Sequence, residues 1–293
     1  MDEIQLPRRR KELDSIAREA LAFGHSQALE TGSLGFMARL LVQATLPHKN
    51  PGEGVCTFER SNGDLHLVVM APPRIGLPWG KLPRILLCWL ATEAVRTKQR
   101  QIELGPNLSS FMRELGLVPT GGRWGTITRL RDQVRRLFSS TIRYSYTGPG
   151  RFEDSGFVIA SHTSLWWTPA EPEQPDLFGS FVELSQDFFQ TVVDRPIPVD
   201  LRVLRAVRSP LALDIYCWLT YRNSYLQQPV EIPWPALALQ FGAGYAQVRK
   251  FRYVFLRQAR SVLRFYPDAR LGESDTGLIL RPAAPHVPKR SAT

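Results

Sequence analysis

A long internal repeat constrains the fold of this chain more than any other feature. The first copy opens on Leu86-Leu87-Cys88-Trp89-Leu90 and the second on Ile215-Tyr216-Cys217-Trp218-Leu219. A short β-prone run with alternating polarity follows each, Gln101-Ile102-Glu103-Leu104 and Pro229-Val230-Glu231-Ile232. Next come helix-like stretches at 110–116 and 235–242, each ending on a glycine, the residue favoured just past a helix C-terminus. An arginine-rich helical stretch closes each copy, with Leu130-Arg131 and Leu137 in the first and Leu256-Arg257 and Leu263 in the second. The offset between copies stays between 126 and 129 residues. Self-similarity of this length predicts two like domains.

The order within a copy is helix, short strand, helix, turn, basic helix, then β-prone residues. That is the order of a winged helix-turn-helix, whose third helix enters the DNA major groove. The expected fold class is therefore α+β, with two tandem winged-helix domains (helix-turn-helix with a β-wing) related by the repeat. The first wing is expected over Thr141–Thr147, Gly148-Pro149-Gly150, Gly156–Ser161 and Leu165–Trp167. The second runs from about Pro267 to Leu280, with Gly272 and Gly277 as turn residues. The competing reading is a doubled all-helical packing unit. Charge on the third helices separates the two, because a packing helix has no need of an all-positive face.

The second basic helix, read from Ala246 to Tyr266, carries Arg249, Lys250, Arg252, Arg257, Arg260 and Arg264 and no acidic residue. At about 100° per residue, Arg249, Tyr253, Arg257, Arg260 and Arg264 share a stripe beside Lys250. Val248, Phe251, Phe255, Ala259 and Val262 fall on the far side, toward the core. Arg249, Lys250 and Arg252, near the helix start, are assigned to base edges; Arg257, Arg260 and Arg264 are assigned to phosphates. The first basic helix offers Arg123, Arg129, Arg131 and Arg135, with Arg136 beside them and Asp132 as the one acid. Its core positions are Ile127, Leu130, Val134, Leu137 and Phe138. Arg143 and Arg151 flank the first wing and are placed to meet backbone or minor groove.

Composition agrees with a polyanionic partner. The 293 residues carry a formal charge of +10, and only six of the 37 basic residues are lysine. Arginine suits bidentate contact with phosphate and guanine, although a GC-rich genome gives the same skew. Between 200 and 293, 14 Lys and Arg face six Asp and Glu, so the excess concentrates in the second repeat.

Other classes drop out. No apolar stretch reaches the ~18 residues of a membrane span, and the charged start is not a secretory signal. Cys56, Cys88 and Cys217 are odd in number and widely spaced, against both a disulfide framework and a zinc site, and in favour of a reduced, cytoplasmic setting. Gly76 to Leu82 has three residues between its glycines and no Ser/Thr after Lys81, so it is not a P-loop. Lys81 and Arg84 are assigned to the basic surface. The five histidines include no His-x-His pair of a nicking enzyme, and no catalytic motif is found. No catalytic residue, metal or cofactor is expected.

The chain is divided into an N-terminal extension at 1–70, a first winged-helix domain at 71–197, a second at 198–281, and a disordered tail at 282–293. The extension is expected to hold a helix around Leu13, Ile16, Ala17, Ala20 and Leu21, and a hairpin turning at Ser61-Asn62-Gly63-Asp64. A Pro-rich, acidic loop is expected at 169–180.

Three stretches then resemble the RepA-type plasmid replication initiators. They are Leu77-Pro78-Trp79-Gly80-Lys81-Leu82-Pro83-Arg84, then Thr120-Gly121-Gly122-Arg123-Trp124-Gly125-Thr126-Ile127, then Pro198-Val199-Asp200-Leu201-Arg202 through Ser209–Arg222. The resemblance covers about residues 70–282. It implies binding of double-stranded DNA at repeated origin sites (iterons), origin opening, and recruitment of host partners, namely the host replication initiator and the replicative helicase. It makes the second winged helix the main reader, on Arg249, Lys250, Arg252 and Arg257, and gives the first dimerisation and auxiliary DNA contact. The expected function is a non-enzymatic initiator. A winged-helix transcriptional repressor or autoregulator is the alternative, and a nicking replication enzyme is disfavoured by the missing histidine pair.

Overall fold

The computed structural model describes residues 33–165, 179–242 and 244–287 of a mixed α and β chain with small sheets. It begins with β1 (Leu34–Ala38), α1 (Arg39–Gln43), β2 (Thr57–Asn62) and β3 (Leu65–Met70). Then come α2 (Lys81–Thr97), β4 (Gln101–Glu103), α3 (Leu108–Glu114) and α4 (Thr126–Phe138). Next are β5 (Thr141–Gly148), β6 (Arg151–Val158), β7 (Ala160–Ser164), β8 (Phe181–Leu184), α5 (Gln186–Asp194), β9 (Pro196–Asp200) and α6 (Leu201–Ala206). The last stretch holds α7 (Pro210–Asn223), β10 (Val230–Pro233), α8 (Trp234–Phe241), α9 (Val248–Leu263), β11 (Arg270–Glu273) and β12 (Gly277–Arg281). The helix expected around Leu13–Leu21 lies outside the described residues.

The chain folds as two compact units. One gathers 46–59 and 64–196. The other gathers, among the described residues, 33–45, then 60–63, then those from 197 to 287. Neither is one continuous stretch.

In the 64–196 unit, the opening run of the first repeat is the core of α2, with Leu86 to Leu90 all buried. Trp89 meets Phe111 of α3 edge-on, 5.0 Å between centroids, and its indole N–H donates to Glu114 Oε1 at 3.0 Å. Ile127, Leu130, Val134 and Leu137 of α4 are buried at helical spacing, while Phe138 is half-buried. Asn107 caps α3 by accepting from the Ser110 amide, and Gly116 ends it at φ +73°, where a side chain would be strained.

The loop before α2 is tied to α4. The Trp79 amide donates to Gln133 Oε1 at 2.9 Å, and Arg136 donates to Leu77 O and to Asp132. Arg84 is only 3 % exposed, and its guanidinium donates to the carbonyls of Leu46, Pro47 and Gly80. This corrects its assignment to the basic surface: Arg84 is a structural donor inside the unit.

The sheets depart from the expected first wing. β5 and β6 do pair, from Thr141 opposite Val158 to Gly148 opposite Arg151. They belong, however, to a sheet of order β2-β3-β5-β6, while β4 neighbours β8 in a separate sheet of order β4-β8-β7. The reason lies in the apolar faces. Leu65, Leu67 and Val69 of β3 sit opposite Tyr146, Tyr144 and Ile142, and Ile102 of β4 meets Val182 of β8. The strand beside β4 is thus formed well downstream of the basic helix. Trp166 and Trp167 of the expected wing lie outside the described residues, as does most of the Pro-rich loop at 169–180.

In the unit that contains 197–287, α7 is the spine, buried from Leu211 to Thr220. Ser209 caps it, with Pro210 in its first turn. Trp218, at the position equivalent to Trp89 in the repeat, packs edge-on against Phe241 of α8 and Phe255 of α9 at 5.7 and 6.5 Å. Phe251 and Phe255 lie 5.5 Å apart and complete the cluster. Gly242 follows α8 for another reason than Gly116. Its φ is −108°, but a Cβ there would lie 2.8 Å from both Ala238 O and the Phe251 ring. Only a glycine lets the chain turn this close to α9.

β10, β12 and β11 form an antiparallel sheet in that order, with the hairpin turning at residues 274–276. Gly272 and Gly277 lie within its strands, not in its turn. β1 pairs with β9, and α1 buries Leu40, Leu41 and Val42 in the same unit. Residues 282–287, expected in a disordered tail, are packed instead. His286 shares a 2.8 Å hydrogen bond with the Tyr216 hydroxyl, Tyr266 donates to Ala284 O, and Val287 is 1 % exposed. The apolar surface of Tyr216 and Tyr266 supplies a partner that composition alone does not reveal.

Candidate nucleic-acid interface

α9 divides cleanly by face. Phe251, Phe255, Ala259 and Val262 point into the aromatic core, as their spacing requires, and Leu256 and Leu263 join them. Val248 departs from the expected core set. At the first position of the helix it overhangs the core and is 42 % exposed.

Arg249, Lys250, Arg257 and Arg260 are exposed on the opposite side. Arg252 and Arg264 are half-buried. The Arg252 guanidinium lies over the Trp234 ring at 5.3 Å from its centroid, which braces it at the start of α8. Arg257 lies over the ring of Tyr253 at 5.9 Å. Among the described residues none of these six cations meets a carboxylate at ion-pair distance. Among the described residues the face therefore carries uncompensated positive charge, backed by the apolar core.

The β11–β12 hairpin adjoins this helix in sequence and is pinned at its turn. Glu231 of β10 accepts hydrogen bonds from the hydroxyls of Ser274 and Thr276, and these hold its carboxyl below the usual carboxylate range.

The first basic helix is presented differently. Arg129, Arg131 and Arg135 of α4 are exposed, and Arg123 is exposed in the turn before it. Arg131 and Arg135 line an open cleft of about 540 Å³ with Thr128, Phe138, Thr163 and Leu165. Arg136 is taken by Asp132 and Leu77, and Arg143 by Asp154 across the β5–β6 pair. Arg143 is thus an intrasheet ion pair first. The side chain of Arg151 lies outside the described set.

The turn before α4 is cross-linked. The Thr120 amide donates to Thr126 Oγ1 and the Thr126 amide to Thr120 Oγ1, both at 2.9 Å, and Thr128 Oγ1 donates to Gly122 O at 2.9 Å. It displays Trp124 at 80 % exposure with the Arg123 guanidinium over its ring at 5.1 Å. The periodicity did not single out Trp124, because it precedes the helix and follows no pattern. Tyr253, 66 % exposed, was visible in the stripe but not as a site.

Among the described residues no group of three or more His, Cys, Asp and Glu is placed to hold a metal ion. No described helix is long and apolar enough to cross a membrane.

Comparison with known proteins gives three results. Residues 77–231 match the family model described as plasmid-encoded RepA protein. No curated protein matches the chain. Among solved structures the fold is similar to domains 2 and 3 of RctB. One crystal structure, of a selenomethionine derivative, aligns at a TM-score of 0.54 with 11 % identity, covering 80 % of this chain and 94 % of that one. A second, of RctB residues 155–483, aligns at 0.51 with 12 % identity, covering 82 % and 94 %.

Proposed function

We propose that this chain, which belongs to the plasmid-encoded RepA family of replication initiators, acts by binding repeated double-stranded sites in its own origin through α9. The observation that carries this reading is the acid-free cationic face of α9, backed by Phe251 and Phe255 and free of internal ion pairs among the described residues. A helix of this kind fits the major groove, about 12 Å wide, with cations on its walls. We read α7-β10-α8-α9-β11-β12 as one winged helix and α2-β4-α3-α4-β7-β8 as the second. In both, a strand between the first two helices neighbours the last strand, and the last two strands pair with each other. This correspondence supports a tandem arrangement.

In this reading Arg249 and Lys250 reach base edges, with Arg252 held beside them by Trp234. Arg257, Arg260 and Arg264 meet phosphates. Arg123, Arg129, Arg131 and Arg135 give auxiliary contact from the other unit. Origin opening and the engagement of host helicase follow from the family role, and the protein works without an enzymatic step of its own. Two such units in one chain favour an initiator over a simple regulator, which needs one.

The test is footprinting on the DNA flanking the gene. Evenly spaced protected repeats one or two helical turns apart are the expected outcome. Protection without repeats would point to a repressor. Strand cleavage by the purified protein on that DNA with Mg²⁺ would overturn the non-enzymatic reading.

A further inference from the structure

Tyr253 stands out on α9. It is the one aromatic side chain on a face otherwise made of cations, and it is 66 % exposed while Phe251 and Phe255 are fully buried. It lies one turn from Arg249 and one from Arg257, in the line that runs down the middle of the basic face. The Arg257 guanidinium covers part of its ring at 5.9 Å. An exposed tyrosine ring contributes nothing to the core, and cations alone suffice for phosphate.

We infer that Tyr253 is a specificity-determining residue that packs its ring on the 5-methyl group of a thymine. The inference rests on the reading of α9 as a major-groove helix. Within that groove, base edges of unmodified DNA present donors, acceptors and one apolar group, the thymine methyl. A ring at the centre of the helix face, between Arg249 and Arg257, meets base edges before it meets backbone. The neighbouring arginines hold phosphates or guanine edges, so the ring is pressed against the floor of the groove. Arg257 stacked on one face of the ring keeps it from swinging toward solvent.

The experiment uses the full-length protein and a duplex carrying one protected repeat. Each thymine is replaced in turn by uracil, which lacks only the methyl. Wild-type protein is expected to lose about fourfold in affinity at one or two positions, the cost of one unburied methyl. Tyr253→Phe should show the same uracil profile. Tyr253→Ala should bind the thymine duplex more weakly and lose the uracil effect at those positions. An unchanged thermal midpoint for both variants shows that the helix is intact.

Three results overturn the inference. One is a flat uracil profile for the wild type. Another is a Tyr253→Ala profile identical to the wild type. The third is a Tyr253→Phe loss as large as that of Tyr253→Ala, which would assign the contact to the hydroxyl. Arg249→Ala, run in parallel, tells the two levels apart. If it lowers affinity for the repeat while the uracil profile is flat, α9 is in the groove and only the role of Tyr253 is wrong. If it also has no effect, or no repeat is protected, the reading of α9 fails and Tyr253 with it.

Discussion

Arg84 and Arg249 carry the same guanidinium to opposite uses. Arg84 is buried at 3 % exposure and donates to three carbonyls, while Arg249 is exposed and meets no carboxylate among the described residues. Replacing Arg84 by Met removes these donors; Pro47 O keeps the Gly80 amide at 3.0 Å, and the cost is about 1–3 kcal/mol for each buried carbonyl left without a donor. Urea denaturation of Arg84→Met should therefore show a clear drop in midpoint. Arg249→Ala should leave the unfolding free energy within about 0.5 kcal/mol of wild type and lower specific affinity by about 1–3 kcal/mol. Arg260→Ala should weaken specific and random DNA alike, because phosphate carries no sequence information. Equal losses from Arg249→Ala on both DNAs would remove the division into readers and anchors. Sequence could separate these arginines only in part. Those on α9 stand out because they recur on one helical face without an acid. Arg84 lies in an unbroken apolar run whose helix is buried nearly all round, so its neighbours give no hint of what it faces. Trp124 follows no periodicity at all, and only its 80 % exposure marks it.

At the scale of elements, the helices and the local hairpins were legible and the distant sheet partners were not. α4 and α9 follow from apolar spacing that is local in sequence, and the glycines after α3 and α8 mark both ends, one by a positive φ and one by close approach to Phe251. The neighbour of β4 is set by a strand about 80 residues downstream, and a three-residue strand carries too little pattern to specify it. The aromatic cluster behind α9 turns this into a stability prediction. Trp218→Ala removes a ring that packs on Phe241 and Phe255 and should cost about 3–5 kcal/mol. Because it loosens the support of α9, it should also lower DNA affinity at temperatures where the protein remains folded. The β11–β12 turn gives a pH prediction. The pKa of Glu231 is depressed in the fold, so its clamp is fully present above the ordinary carboxylate value of 4.5 and is lost as pH falls through the lower folded value. Glu231→Gln should abolish that acid-side dependence, read as amide exchange of Ser274–Gly277 between pH 5 and 3. Equal exchange in both proteins across that range would mean that the carboxylate does not hold the turn.

At the scale of the molecule, two units of one chain each bring a basic helix, and the net charge of +10 is shared unevenly between them. The unit around α7 also recruits β1 and α1 from far upstream, with Leu40, Leu41 and Val42 buried and Gln240 donating to Gln43 O at 2.9 Å. A fragment starting at 197 lacks those groups and should unfold at lower urea than the full chain; an unchanged midpoint would mean that they do not support the unit. Whether both units touch DNA together can be read from salt. Each phosphate neutralised contributes about −0.9 to the slope of log affinity against log salt. The cations of α9 assigned to phosphates are Arg257, Arg260 and Arg264, and the other unit offers Arg123, Arg129, Arg131 and Arg135. Binding by α9 alone predicts a slope of about −3, and joint binding predicts about −6. Replacing Arg129, Arg131 and Arg135 by Ala should then make the slope shallower by about 3 if both units engage. It should leave the slope unchanged if α9 acts alone, because those three side chains then stay in solvent in the free and bound states alike. The triple variant decides between a chain that grips DNA with both repeats and one that reads with the second while the first serves another partner.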